Sequence, residues 1–205
     1  MPCHPPFHVL TGGPGSGKSS LLAALAQKGQ NVVEEAGREI IRDQQAIAGL
    51  GLPWHDPRLF AELMLAWELR AHRQALTRKG PVFFDRSLVD IIGYLRLNDL
   101  PVGEHLLQAV RQLRYQRQVF LLPHWPQIYR NDHERRQDAA EAERTCAVMR
   151  EAYVEATDRG TANEPGAAPR LRAAVQWPQP VASVRKRPGV TPVKRRNTPL
   201  KCAWS

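Results

Sequence analysis

Residues Thr11 to Ser20 read TGGPGSGKSS, and Gly12, four further residues, then Gly17-Lys18-Ser19 satisfy the spacing G-x-x-x-x-G-K-[ST]. Glycines in such a loop let the backbone turn tightly and aim successive N–H groups into one concave anion site. Lys18 supplies a mobile positive charge for the outer phosphates of a nucleotide, and the Ser19 hydroxyl is a hard oxygen suited to Mg²⁺. A helix that follows directs its positive N-terminal end at the same anion. Gly12, Gly13, Pro14, Gly15, Ser16, Gly17, Lys18, Ser19 and Ser20 are therefore the expected phosphate contacts, with Lys18 also expected to take part in catalysis.

Other residue types fit chemistry on the bound phosphates. Asp85 closes the apolar run Val82-Phe83-Phe84, where its charge would be costly to bury without a cation or hydrogen-bond donors. It is expected to orient Mg²⁺ or its water, so that Ser19 and Asp85 form the metal set; capping of a helix from Ser87 is the competing role. Arg86 either contacts a substrate phosphate or pairs with a surface acid. Glu34 and Glu35 end the run Asn31-Val32-Val33 and alternate faces, so only one points at the site. Glu35 is the candidate to hold an acceptor hydroxyl or act as a base, and Arg38 joins Glu35 and Arg86 among the substrate contacts. The segment YRNDHERRQD, Tyr129 to Asp138, brings together Arg130, Arg135 and Arg136. Cations on a closing lid would neutralise charge on a transferred phosphoryl group and exclude water; a surface helix laced with pairs such as Arg130–Glu134 is the alternative.

The elements that must position these groups can be read from spacing. Phe7-His8-Val9-Leu10 is a strand candidate before the glycine loop, and Ser20 to Ala26 has helical composition. Asn31 to Glu35 is a second strand, with a helix starting at Ala36. Asp56-Pro57 gives an N-cap followed by proline at the first helical position. The helix it opens, to about Arg78, is expected to bury Leu59, Phe60, Leu63, Met64 and Trp67 and to cover Trp54 at its start. Val82 to Phe84 is a fully apolar strand, Leu88 to Leu97 is helical, and another helix lies within Pro101 to Tyr115. Gln118 to Leu122 is the fourth strand, and a last helix runs to about Asp158. Apolar strands alternating with helices predict an α/β fold with a parallel sheet covered on both faces. Every polar candidate follows a strand, at the carboxyl edge where ligands bind in such sheets.

Of the 205 residues, 29 are Lys or Arg and 20 are Asp or Glu, a formal net charge of +9. Nine of the bases and one acid, Glu164, fall in 160–205, which leaves 20 bases and 19 acids in 1–159. The basicity thus belongs to the tail, which also holds seven of the 17 prolines. Two regions are expected: a P-loop domain over 1–159 and a basic, Pro-rich, disordered tail over 160–205. Such a tail would contact nucleic acid or anionic surfaces non-specifically. The three cysteines, Cys3, Cys146 and Cys202, are scattered and odd in number, which argues against a disulfide framework and for the cytoplasm. Met1 to Pro6 show no basic region followed by an apolar run, so no secretory signal is expected, and no apolar stretch approaches about 20 residues.

The stretches TGGPGSGKSSLLAAL, VVEEAGREIIRDQ, PVFFDRSLVDIIGYLRL and VFLLPHWPQIYRNDHERRQD together resemble the predicted ATPases with a NadR-type AAA domain, over about residues 7–158. The resemblance implies a kinase-like P-loop NTPase fold, a three-layer α/β/α sandwich with sheet order 2-3-1-4-5. It implies Mg·ATP as the nucleotide, with GTP as the alternative. It also implies that Asp85 acts near metal and acceptor, and that Arg130, Arg135 and Arg136 contact phosphates. From about residue 159 the chain departs from the family: RGTANEPGAAPRLRAAVQWPQPVASVRKRPG offers neither a convincing fifth strand nor a closing helix, as a replaced or out-of-frame terminus would. The expected function is a small-molecule kinase or ATPase acting on an unidentified acceptor. The alternative is a nucleotide-dependent switch with little turnover.

Overall fold

The structure is a computed structural model that describes residues 6–13, 16–116, 118–122, 139–160 and 171–173, with side chains in the last helix described over 143–156. Strand β1 (Phe7–Gly12) leads through the glycine loop into helix α1 (Lys18–Gln27). Strand β2 (Asn31–Val33) is followed by α2 (Ala36–Ala46) and the long α3 (Pro57–Ala75). Strand β3 (Val82–Asp85), α4 (Leu88–Leu97), α5 (Glu104–Gln112), β4 (Val119–Leu122), α6 (Ala139–Gly160) and β5 (Leu171–Ala173) complete the order. The strands form one sheet, β2-β3-β1-β4-β5, with every pairing parallel. This is the 2-3-1-4-5 order that the resemblance implied.

Register decides what meets at the carboxyl edge. Leu10 lies beside Asp85, and Gly12 lies beside Leu122. The end of β3 and the start of the glycine loop are thereby brought next to each other. Side-chain alternation along the strands sends Phe7, Val82 and Phe84 to one face, with Ala71 and Ala75 of α3. Leu10, Leu22 and Leu122 pack on the α1 face, with Phe83 and Phe120 half-buried beside them. The larger cluster joins α2, α3, α4, α5 and α6 through Ile40, Phe60, Met64, Ile91, Tyr94, Leu106 and Met149.

Local rules explain most boundaries. Asp56 accepts a hydrogen bond from Leu59 N at 2.9 Å and caps α3 ahead of Pro57. Ser87 caps α4, and its capping box is completed by Asp90. Three sequence expectations are corrected. Helix α3 ends at Ala75, three residues early, as the chain turns toward Gly80 at φ +80°. Its buried stripe is Phe60, Ala61, Met64, Leu65, Glu68, Ala71, His72 and Ala75, so Leu59, one position off that stripe, is 40% exposed. Trp54 likewise stays exposed at the rim rather than beneath the helix start. Apart from these, three residues, Leu171–Ala173, pair with β4 within the stretch whose composition left a fifth strand doubtful. Three residues pairing with β4 alone at the sheet edge are too short to carry a pattern. The rest of the 160–205 tail lies outside the described residues. No helix among the described residues is long and apolar enough to cross a membrane.

Candidate functional site

The loop after β1 is shaped by two glycines. Gly12 has φ +146°, and a Cβ there would strike the Leu122 carbonyl oxygen and lie 3.1 Å from Ser16 Oγ. Gly17, at φ +83°, is the N-cap of α1. That helix start has no side-chain cap and no acidic residue in its first turn. Its first-turn N–H groups thus remain available to an anion. Ser19 and Ser20 are exposed on this turn, Gly13 is buried at its base, and Ser16 Oγ is buried with no partner among the described residues. Pro14 and Gly15 lie outside the described residues.

Lys18 is buried, and its Nζ sits 3.1 Å from Asp85 Oδ1. Asp85 is thus no helix cap; Ser87 fills that role. Burial pushes the Lys18 ammonium down from its ordinary range, aided by Arg86, while Asp85 and Glu35 oppose it. Burial also raises Asp85, and Lys18 opposes that shift. The pair is therefore one in which each charge depends on the other.

A second charged group abuts the first. Arg86 Nε donates to Glu35 Oε1 at 2.9 Å, and its Nη1 donates to Asp90 Oδ1 at 3.3 Å. Arg38, about half exposed on the first turn of α2, approaches Glu35 Oε2 at 3.4 Å. Burial works against the Glu35 charge, but Arg86, Lys18 and Arg38 outweigh it and hold its carboxyl below the usual range. Burial likewise works against the Arg86 cation, and Glu35, Asp90 and Asp85 overcome it. Among the described residues Arg86 is a buried bridge between two carboxylates, Glu35 and Asp90. Glu35 rather than Glu34 points inward: Glu34 is exposed, while Glu35 occupies the N-cap position of α2. The structure thus brings together Lys18, Asp85, Glu35, Arg86 and Arg38. Arg130, Arg135 and Arg136 lie outside the described residues.

Four participants escaped the sequence reading. Thr11 Oγ1 donates to Asp90 Oδ1 at 2.5 Å, and Tyr153 OH donates to Asp90 Oδ2 at 2.5 Å. The spacing Ser87-x-x-Asp90 before an apolar run was the available signal for Asp90. Glu68, 3% exposed on α3, was legible too: Phe60, Met64, Glu68 and His72 recur every four residues on the buried stripe. Its Oε2 has no hydrogen-bond partner among the described residues. Burial first, then Asp90, Asp85 and Glu35, raise its pKa to about 8.

The buried Glu68 carboxyl makes stability depend on pH. The folded state keeps its proton up to about pH 8, whereas the unfolded chain releases it near 4.5. The stability it contributes is complete below the lower value and is lost as pH rises through the upper one, at no more than about 1.4 kcal/mol per pH unit. Glu68→Gln should flatten that loss. Thermal midpoints at pH 6 and pH 8 should fall more for the parent chain than for the variant; parallel falls would contradict it.

No group of three or more His, Cys, Asp or Glu side chains suited to a metal is present among the described residues. A Mg²⁺ ion shared with a ligand's phosphates needs only one or two protein oxygens. Ser19 and Asp85 are hard oxygen donors of that kind, beside a backbone cradle that a single Cβ would fill.

A family model described as AAA domain matches residues 7–159. Among curated proteins nothing matches the chain. Solved structures of deoxyadenosine kinase from M. mycoides are similar to it. The one with products dCMP and a flexible dCDP bound is 17% identical, covers 82% of this chain and 88% of its own, and has a TM-score of 0.47. The one with bound dATP is 17% identical, with coverages of 82% and 90% and a TM-score of 0.48. The one with bound dCTP is also 17% identical, with coverages of 82% and 89% and a TM-score of 0.45.

Proposed function

We propose, from the premise that this chain belongs to the AAA domain family, that it is a cytoplasmic enzyme binding Mg·ATP and transferring the terminal phosphoryl group to a small-molecule acceptor. The observation that carries the proposal is the meeting of two charged groups at one sheet edge: the Lys18–Asp85 pair and the Glu35–Arg86–Asp90 bridge. A pure binding loop needs the first group; the second is where an acceptor would be received.

Each residue has a distinct task. Gly12, Gly13, Pro14, Gly15, Ser16 and Gly17 shape the cradle, and the α1 N–H groups hold phosphate oxygens. Lys18 exchanges its Asp85 partner for the outer phosphates, so a polyanion replaces one carboxylate around a cation already desolvated. Ser19 and Asp85 would hold Mg²⁺, which would supply charge neutralisation on the transferred phosphoryl group. Glu35, with its pKa held low, is better suited to orienting an acceptor hydroxyl than to removing its proton, because an efficient base titrates near the working pH. Arg86 and Arg38 hold Glu35 in place. Arg130, Arg135 and Arg136 are proposed as the cations of a lid.

ADP release from Mg·ATP, alone and against a panel of nucleosides, nicotinamide riboside and other small alcohols, tests the proposal. Strong stimulation by one acceptor is the expected result and would name the substrate. Slow turnover unchanged by every acceptor would instead assign the chain to nucleotide-dependent switches.

A further inference from the structure

Arg86 has a backbone φ of +75°, in a left-handed region that disfavours any residue with a Cβ. Such strain persists only where the surroundings impose it. Here they do. Arg86 N donates to Leu10 O at 2.9 Å, and the next residue, Ser87, is locked by the capping box: its N–H donates to Asp90 Oδ2 at 2.9 Å. The Arg86 side chain then turns back to the other oxygen of the same carboxylate. Asp90, 1% exposed, thus fixes both ends of the Arg86 turn.

The same carboxylate also accepts from two other elements. Thr11 comes from β1, one residue before Gly12, and Tyr153 comes from α6. Tyr153 OH also lies 2.7 Å from Ser87 Oγ, so α6 touches the cap and the carboxylate together. Burial and then Asp90 keep the Tyr153 phenol protonated well beyond its usual range, which makes it a dependable donor. Arg96 of α4 adds a forked pair with Glu155 of α6, at 3.0 and 2.7 Å, and anchors α6 two residues beyond Tyr153.

We infer that Asp90 is a positioning residue, which aims the Arg86 guanidinium at Glu35, and that Tyr153 makes this aim depend on the seating of helix α6. Neither residue is assigned contact with substrate; both act through Arg86. The functional part of the role rests on the proposed phosphoryl transfer, in which the Glu35–Arg86 pair receives the acceptor. The geometric part does not.

Tyr153→Phe tests it, because the ring that packs between the helices is kept and only the hydroxyl is removed. Asp90→Asn is the stronger variant, since its amide group would oppose the Ser87 N–H, a buried mismatch that can unfold the chain. In the full-length protein, the ¹⁵N signal of the Arg86 side-chain Nε–H, assigned by its loss in Arg86→Lys, should shift and exchange faster in Tyr153→Phe. Thermal unfolding should stay cooperative. Turnover should fall about 10-fold from the displaced guanidinium, with KM for Mg·ATP within about twofold. In the Arg86→Lys background the Tyr153→Phe effect on turnover should largely vanish, since two changes acting through one group are not additive. An unmoved Arg86 signal, or additive turnover losses, would overturn the inference. A parent chain with no turnover at all would defeat the proposed function, and the Arg86 signal would still decide the positioning role.

Discussion

Lys18→Ala is expected to lower ADP release from Mg·ATP by at least about 100-fold, the usual cost of removing one preorganised charge-stabilising group. The reason lies in its surroundings more than in the loop motif. Lys18 is 7% exposed and contributes the cation at 3.1 Å from Asp85. Without it Asp85 is left as a buried carboxylate facing incoming phosphate, with Glu35 adding repulsion of the same sign. Binding of triphosphate should weaken along with turnover, because the ammonium is offered to the nucleotide in both ground and transition states. The check is a steady-state comparison with the parent chain; equal kcat/KM in the two would remove Lys18 from the site.

Gly12→Ala is expected to destabilise the fold by about 3 kcal/mol or more, or to prevent folding. Two costs combine. The φ of +146° at Gly12 suits glycine alone, and an L-residue held in such a region costs on the order of 1–3 kcal/mol. The added methyl would also meet the Leu122 carbonyl oxygen, which is backbone of the paired strand β4 and cannot swing away as a side chain would. Overpacking of this kind adds typically 1–3 kcal/mol. Against a total of about 5–15 kcal/mol for a domain, that is a large share. Urea unfolding of the two chains measures it. An unchanged midpoint would mean that the loop tolerates a side chain, and that the tight cradle is not a constraint.

The contrast between these residues shows what a sequence makes legible. Gly12 closes β1, Lys18 opens α1, and the apolar run Val82 to Phe84 ends at Asp85, as these local patterns predict. Helix α4 occupies Leu88–Leu97 as read. The partnerships were not legible. Arg86 looked free to choose a surface acid, but parallel pairing of β2 and β3 brings Glu35 to it across 51 positions. Tyr153 reaches Asp90 from 63 positions away, through the packing of α6 on α4, which no local pattern encodes. Glu68 and His72 were legible by period, but polar residues on an apolar stripe are easily passed over. The strand Leu171–Ala173 was hidden for another reason: one leucine and one alanine flanking an arginine give no β signal until β4 supplies the partner.

Calorimetric titration of the full-length chain with Mg·ATP tests the central assignment most directly. One site per chain is expected, weakened at least about 10-fold in Lys18→Ala and bound less tightly by Mg·ADP, because the ammonium and the α1 N-terminus address the outer phosphates. Absence of binding, or equal affinities of parent chain and variant for Mg·ATP, would contradict the assignment of this sheet edge as a nucleotide site.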